Sequence, residues 1–395
     1  MTDTNILKEA IEPAEVLEVK PSEVDTRPQS EWDDKSAEAA QRSPFYEIAP
    51  LGVTFASTPA DALARARTSG KVNEYSPNAL QVDDTIITAL EAKALKSLGV
   101  GEIKMLKAGI LAFTAVNSRG QNPPTLRVII DTADYARKCG VEIEAQPMPT
   151  PEAQAAEDKR AENAAHNFLA KTRRNLHNLR ANASFSWTET TRGRVEAYSE
   201  ISFISGYRVT RKSISMDFGL RAAEYLVTRH YRQEPETLFL VDERREDAYA
   251  IGDYLNRHYS IDKNVTRDIE HTSSIPAILA VTSIPSIEEI RQGKGKSKRT
   301  WRDLIKDRFE SALDELTRVG FLSTWAYSHS KKQLLTEDEA DSISSYEEYA
   351  SLYLYYEIAN YPQHKERVKA IQAKQKKSRR GAKSKQQNTA AEGGE

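Results

Sequence analysis

Gly293-Lys294-Gly295-Lys296-Ser297-Lys298-Arg299-Thr300-Trp301-Arg302-Asp303-Leu304-Ile305-Lys306-Asp307-Arg308-Phe309-Glu310-Ser311-Ala312-Leu313-Asp314-Glu315-Leu316 is the stretch on which the fold turns. Trp301, Leu304, Ile305, Phe309, Ala312, Leu313 and Leu316 recur at helical spacing, so an amphipathic helix is expected from Trp301 to Val319, with Gly320 as its stop. Phe321 to Ser328 alternates like a strand, and Lys331-Lys332 falls where the tip of a hairpin would lie. Upstream, Ser286 with Glu289 three residues on is a capping box for a shorter helix. Helix, basic loop, helix, strand and basic turn is the order of a helix-turn-helix with a wing.

The same order is expected once already, nearer the N-terminus. Leu80, Ile86, Ile87, Leu90 and Leu95 have helix-like spacing, and Met105, Leu106, Ile110, Leu111 and Phe113 repeat it. Leu126 to Asp131 has the β-branched content of a short strand, followed by a small helix from Thr132 to Cys139 that Gly140 ends. Pro147, Pro149 and Pro151 make 141–156 read as a linker before a long helix from Glu157 to Arg180. Ser184 to Thr190 and Glu196 to Ile204 then read as strands joined by the basic turn Thr191-Arg192-Gly193-Arg194, with Ser213 to Phe218 a third. Helices over Arg221 to Arg232 and Arg245 to Tyr259 open the second round. The expected fold is therefore α+β and helix-rich, with tandem winged helix-turn-helix domains at 75–235 and 236–360.

Both ends differ from this middle. Residues 1–48 hold twelve Asp/Glu against five Lys/Arg and are broken by four prolines, the composition of a disordered acidic arm. Residues 361–395 hold ten Lys/Arg against three Glu, a basic tail also expected to be disordered. The net charge of −2 over 395 residues averages these opposites. Between them, 333–360 has seven acids and no Lys or Arg. Tyr346, Tyr349, Leu352, Tyr353 and Tyr356 share a helical face there, expected to pack onto the second domain, because the surrounding acid repels phosphate.

Absences remove most enzyme classes. Cys139 is the only cysteine, which excludes a disulfide framework, a multi-cysteine zinc module and an iron–sulfur cluster. The seven histidines never occur as His-x-His or His-Glu-x-x-His, and no phosphate-binding loop, nucleophile elbow or dinucleotide turn is complete. No catalytic residue, metal or cofactor is expected. An acidic N-terminus and the lack of any run of about 18 apolar residues point to a cytoplasmic protein without a membrane partner.

Basic clusters point to nucleic acid. Residues 294–308 carry Lys294, Lys296, Lys298, Arg299, Arg302, Lys306 and Arg308 against Asp303 and Asp307, around a helix start whose free N–H groups attract phosphate. On helical spacing Arg299, Arg302 and Lys306 are expected to share a side opposite or flanking the Leu304, Phe309 and Leu316 face, within reach of base edges. The long helix supplies Lys171, Arg173, Arg174 and Arg180 as backbone contacts, and Lys331 and Lys332 a wing contact. A solvated basic face is the competing reading, and for the tail a solubility tag.

The run Trp301 to Leu316, with Gly320-Phe321-Leu322 and Trp325-Ala326-Tyr327-Ser328-His329, resembles the C-terminal part of replication initiators from plasmids and mobile elements of Gram-positive, clostridia-like bacteria. Asp247-Ala248-Tyr249-Ala250-Ile251-Gly252, Ile284 to Glu289 and Asp134 to Gly140 are similar to that group as well. The tandem order resembles, more loosely, the iteron-binding plasmid initiators. The resemblance implies a non-enzymatic initiator that binds repeated double-stranded origin sites and recruits host replication proteins. It also implies that the first domain supports a homodimer while the helix from Trp301 reads DNA. A winged-helix transcriptional regulator and a non-specific nucleoid or partition-type protein are the alternatives.

Overall fold

The computed structural model describes residues 51–55, 68, 71–73, 76–82, 85–88, 98–117, 120, 122–182, 184–191, 194–228, 231–260, 272–292, 300–330 and 333–359. The acidic arm, the basic tail, the loop 293–299 and Lys331-Lys332 lie outside them. The fold is α+β, with helices and small antiparallel sheets. Among the described residues no helix is long and apolar enough to cross a membrane.

Helix α1 (Val100–Val116) lies at the centre. Every residue from Val100 to Phe113 is buried, Lys104 and Lys107 included, as expected of a helix that is apolar almost all round. At Gly109 the helix lies close to the sheet beneath it: an added Cβ would stand 2.7 Å from the Met216 side-chain end, which would have to shift. Strand β5 (Arg127–Asp131) and helix α2 (Thr132–Lys138) come next, the helix capped by the Asp131 carboxylate, which accepts from the Asp134 N–H at 2.7 Å. Gly140, at φ +73°, ends it in the left-handed conformation open to glycine.

The expected linker 141–156 is shorter, because helix α3 spans Pro151–Asn182. Its cap is Thr150, whose hydroxyl accepts from the Ala153 N–H, so Pro151 occupies the first helical position, where a missing N–H costs nothing. The residues before it are pinned to the helix, the Gln146 N–H donating to the Glu157 carboxylate and Arg160 to the Glu142 carbonyl.

Among the described residues four sheets organise the strands. The helix expected around Leu80 to Leu95 is overturned: Ser76–Val82 and Thr85–Thr88 are strands β3 and β4, where the β-branched content of Val82 to Thr88 outweighs an accidental helical spacing. With β2 (Lys71–Asn73), β6 (Ser184–Thr191) and β7 (Arg194–Ser202) they form a five-stranded sheet in the order β2-β3-β4-β6-β7. The β6–β7 hairpin therefore is not the one that joins β5. That role falls to β8 (Ile204–Val209) and β9 (Ser213–Phe218), in a separate sheet ordered β5-β9-β8. Strand β1 (Leu51–Phe55) pairs with β10 (Tyr231–Pro235), so folded chain begins ahead of the expected start at Tyr75.

Beyond helix α4 (Leu220–Thr228), the order of elements recurs. Helix α5 (Glu246–Ser260) leads to β11 (Thr272–Ser274), α6 (Ile275–Leu279) and α7 (Ile287–Gln292), the last held by the Ser286/Glu289 capping box. A π turn over Arg302–Lys306 opens into α8 (Asp307–Arg318), and Gly320, again at φ +73°, stops it. Strands β12 (Leu322–Ser330), β13 (Gln333–Leu334) and β14 (Tyr353–Ile358) complete a sheet ordered β11-β14-β12-β13. In both units the strand after the opening helix pairs with the last strand; that last strand pairs with β12, just beyond α8, in the second unit, but with β8, which follows the β6–β7 hairpin, in the first.

The expected tyrosine helix is split. Helices α9 (Glu337–Ser342) and α10 (Tyr346–Ala350) are short, and Tyr353 and Tyr356 belong to strand β14. Tyr349 and Tyr356 are fully buried, so the packing role holds although the helix does not. Buried side chains of both units form one contiguous core. Across it, Lys104 donates to the Phe239 and Val241 carbonyls, and Lys107 pairs with Asp253 at 2.6 Å, both side chains at most 4% exposed. Burial lowers the Lys104 pKa.

Candidate nucleic-acid interface

The cations expected to read DNA are divided by the structure. Lys294, Lys296, Lys298, Arg299, Lys331 and Lys332 lie outside the described residues. Arg302 turns inward: it donates to the main-chain carbonyls of Ile343 and Asp341 and stands 5.9 Å from the Trp301 ring. Lys306 is 5% exposed, with its ammonium 3.1 Å from the Ala340 carbonyl, 3.0 Å from the Asp341 carboxylate and 3.7 Å from that of Glu310. Their positions along the helix are the physical reason. Lys306 stands three residues from Phe309 and seven from Leu313, and Arg302 three from Ile305 and seven from Phe309, so helical spacing already sets both at the margin of the buried face, where residues 340–343 cover them. Trp301 is half-buried and packs against Tyr346 and Tyr349.

The remaining cations of this helix are also neutralised. Arg308 pairs with Asp247 at 2.6 Å, and Arg318 with Glu315 at 2.7 Å. The Arg318 hydrogen bonds hold the Glu315 carboxyl below the usual range. Asp303, Asp307 and Asp314 stand exposed on the outer side. Over its described length, this face offers phosphate more repulsion than attraction.

Helix α3 presents the opposite surface. Phe168, Thr172, Asn175, Leu176 and Leu179 are buried, while His166, Ala170, Arg173, Arg174, His177, Arg180 and Ala181 are exposed. At about 100° per residue the exposed set falls within an arc of roughly 120°, a stripe about 21 Å long from His166 to Arg180. No Asp or Glu occurs from Asn163 to Asn182. Among the described residues Arg174 and Arg180 meet no carboxylate. Lys171 is turned aside to Glu243, 2.9 Å away.

Arg173 ties this stripe to a second basic element. Its guanidinium donates at 3.3 Å to the Val209 carbonyl, at the base of the tight β8–β9 turn. Thr210 and Ser213 close that turn through their main-chain and hydroxyl groups at 2.8 to 3.0 Å, leaving Arg211 and Lys212 exposed at its tip. Sequence reasoning passed over this pair. The signal was present in Thr210-Arg211-Lys212-Ser213, a turn-forming Thr and Ser flanking two charges between β-rich runs.

Helix α3 and the β8–β9 turn thus form one continuous basic surface with the positive groups at the free ends of side chains. Such a surface can neutralise several phosphates at once. Among the described residues no cluster of His, Cys, Asp or Glu is arranged to hold a metal ion. Compared with family models, curated proteins and solved structures, the chain matches none of them.

Proposed function

We propose that this protein binds double-stranded DNA through helix α3 and the β8–β9 turn, as a non-catalytic winged-helix protein. The observation that carries the reading is the line of Arg173, Arg174 and Arg180 on an exposed face without acid, beside Arg211 and Lys212. In a winged helix the helix before the hairpin lies along the duplex while the hairpin tip reaches its backbone. The β5-β9-β8 sheet order supports that arrangement here, with α2, α3 and the β6–β7 hairpin between β5 and β8 and with Arg173 of α3 bonded to the base of the β8–β9 turn.

The specific role proposed is replication initiation on a plasmid or mobile element, with repeated origin sites as the target and host replication proteins as partners. This part rests on the sequence resemblance. Footprinting the protein on the DNA around its own gene tests it: several evenly spaced protected repeats are expected. A single palindromic site would instead indicate a transcriptional regulator. Loss of all protection when Arg173, Arg174 and Arg180 become Ala is expected if α3 holds the duplex. Undiminished protection would refute that placement.

A further inference from the structure

Strand β12 is paired unequally on its two sides. With β14 it forms a ladder from Leu322 to Ser328, but β13 meets it only at Ser328 and Ser330, and the Leu335 N–H then donates to the Tyr327 carbonyl. Main-chain groups alternate sides along a strand, so Trp325 faces the same way as Tyr327. From Leu322 to Ala326 that edge has no described strand beside it, and an open edge is a template for another strand.

Along this edge runs a groove of about 500 Å³, walled by α8 and by residues 335–341. Glu310, Asp314, Glu337 and Asp341 bring four carboxylates to it. Among the described residues the ammonium at this groove is that of Lys306, which is buried beneath it and already engaged by Asp341. Trp325, half-buried and edge-on to Tyr327, adds an aromatic face of the kind that takes Lys or Arg side chains. A strand edge beside acid and tryptophan matches an extended basic peptide, main chain to main chain and cation to carboxylate.

We propose that the occupant is the segment 365–385 of this same chain. It carries ten Lys/Arg against Glu366 alone. The described chain ends at Ala359, whose N–H donates at 2.8 Å to the Phe321 carbonyl at the start of β12. Lys365 lies six residues on, a reach of up to about 20 Å at 3.3–3.6 Å per residue. The described chain thus ends beside the start of β12, within tether length of the groove, and such tethering gives an effective concentration on the order of millimolar. Docked there alongside β12, it is withheld from other anionic partners. This inference is independent of where, or whether, the protein binds DNA.

Zero-length carbodiimide coupling of the full-length protein at low salt, read by peptide mass spectrometry, is the test. Lysines of 365–385 should couple to Asp314 or Glu337, within one chain when isotopically light and heavy protein are mixed. Those links should disappear at high salt, and the remaining groove links should weaken at least fivefold in the D314N/E337Q variant. Both positions are exposed, and the melting temperature of the variant checks its folding. Amide exchange at Trp325 should also accelerate when the tail cations are replaced by Gln. Tail lysines coupling only to residues 1–48, only between chains, or to no groove carboxylate would overturn the proposal, as would Trp325 exchange unaffected by the tail.

Discussion

Replacing Arg173, Arg174, Arg180, Arg211 and Lys212 by Ala should change the salt dependence of DNA binding more than any other set of described cations. These five side chains are exposed and lie on one surface formed by α3 and the β8–β9 turn. Each phosphate neutralised contributes about 0.9 to the slope of log K against log salt, so five contacts amount to a slope change of about 4.5. Between 50 and 200 mM salt, this corresponds to a further loss of roughly 500-fold in affinity for the parent protein that the variant does not show. Fluorescence anisotropy on a duplex of about 30 base pairs, titrated at several salt concentrations, measures it. A fall in slope of less than about 1 in a variant with unchanged melting temperature would refute the assignment of this surface to DNA.

Lys306→Met should behave in the opposite way: the DNA slope stays as it was while stability falls by about 1–3 kcal/mol in urea unfolding, because the buried ammonium serves the Ala340 carbonyl and the Asp341 carboxylate. A reduced slope with intact stability would return Lys306 to the DNA surface. Lys107→Met removes the nearest cation from Asp253, whose carboxylate is 0% exposed, and should cost about 3–5 kcal/mol, most of it recovered when Asp253 is also made Leu. A cost under about 1 kcal/mol in the single variant would show that the buried pair does not hold α1 to α5. Glu157 is held down to about 2 by the Arg160 guanidinium and the Gln146 N–H. Its stabilising effect on the start of α3 is therefore complete above the ordinary carboxylate value of 4.5 and disappears as pH falls from there towards 2. Carbon NMR of that carboxyl with a midpoint near 4.5 would show the contact to be absent in solution.

Much of this architecture was legible in the sequence because local chemistry is strong at those places. The capping pair Ser286 and Glu289, the stop glycines 140 and 320, the apolar face from Ile305 to Leu316 and the strands Arg127–Asp131 and Ser213–Phe218 each announce themselves within a few residues. So did the basic character of α3, where long stretches of straight-chain and alanine residues favour helix and the charges must face water. Periodicity alone held for Met105 to Phe113 in α1 but failed at two other places. Leu80, Ile86 and Ile87 matched a helical spacing by chance across two strands, and Tyr346 to Tyr356 matched one across a short helix and a strand.

What only tertiary structure decided is which charges remain available. A sequence shows how many cations there are, but whether one meets solvent or a carbonyl depends on chain segments far away in number: Arg302 and Lys306 are captured by residues 340–343, Lys171 by Glu243, and Arg308 by Asp247. Likewise, Arg211 and Lys212 gain their place beside Arg173 only because β8 and β9 pair with β5. Helical spacing shows which side chains stand at the margin of an apolar face, but whether such a cation meets solvent or a carbonyl depends on the segment packed there, which for Arg302 and Lys306 is residues 340–343.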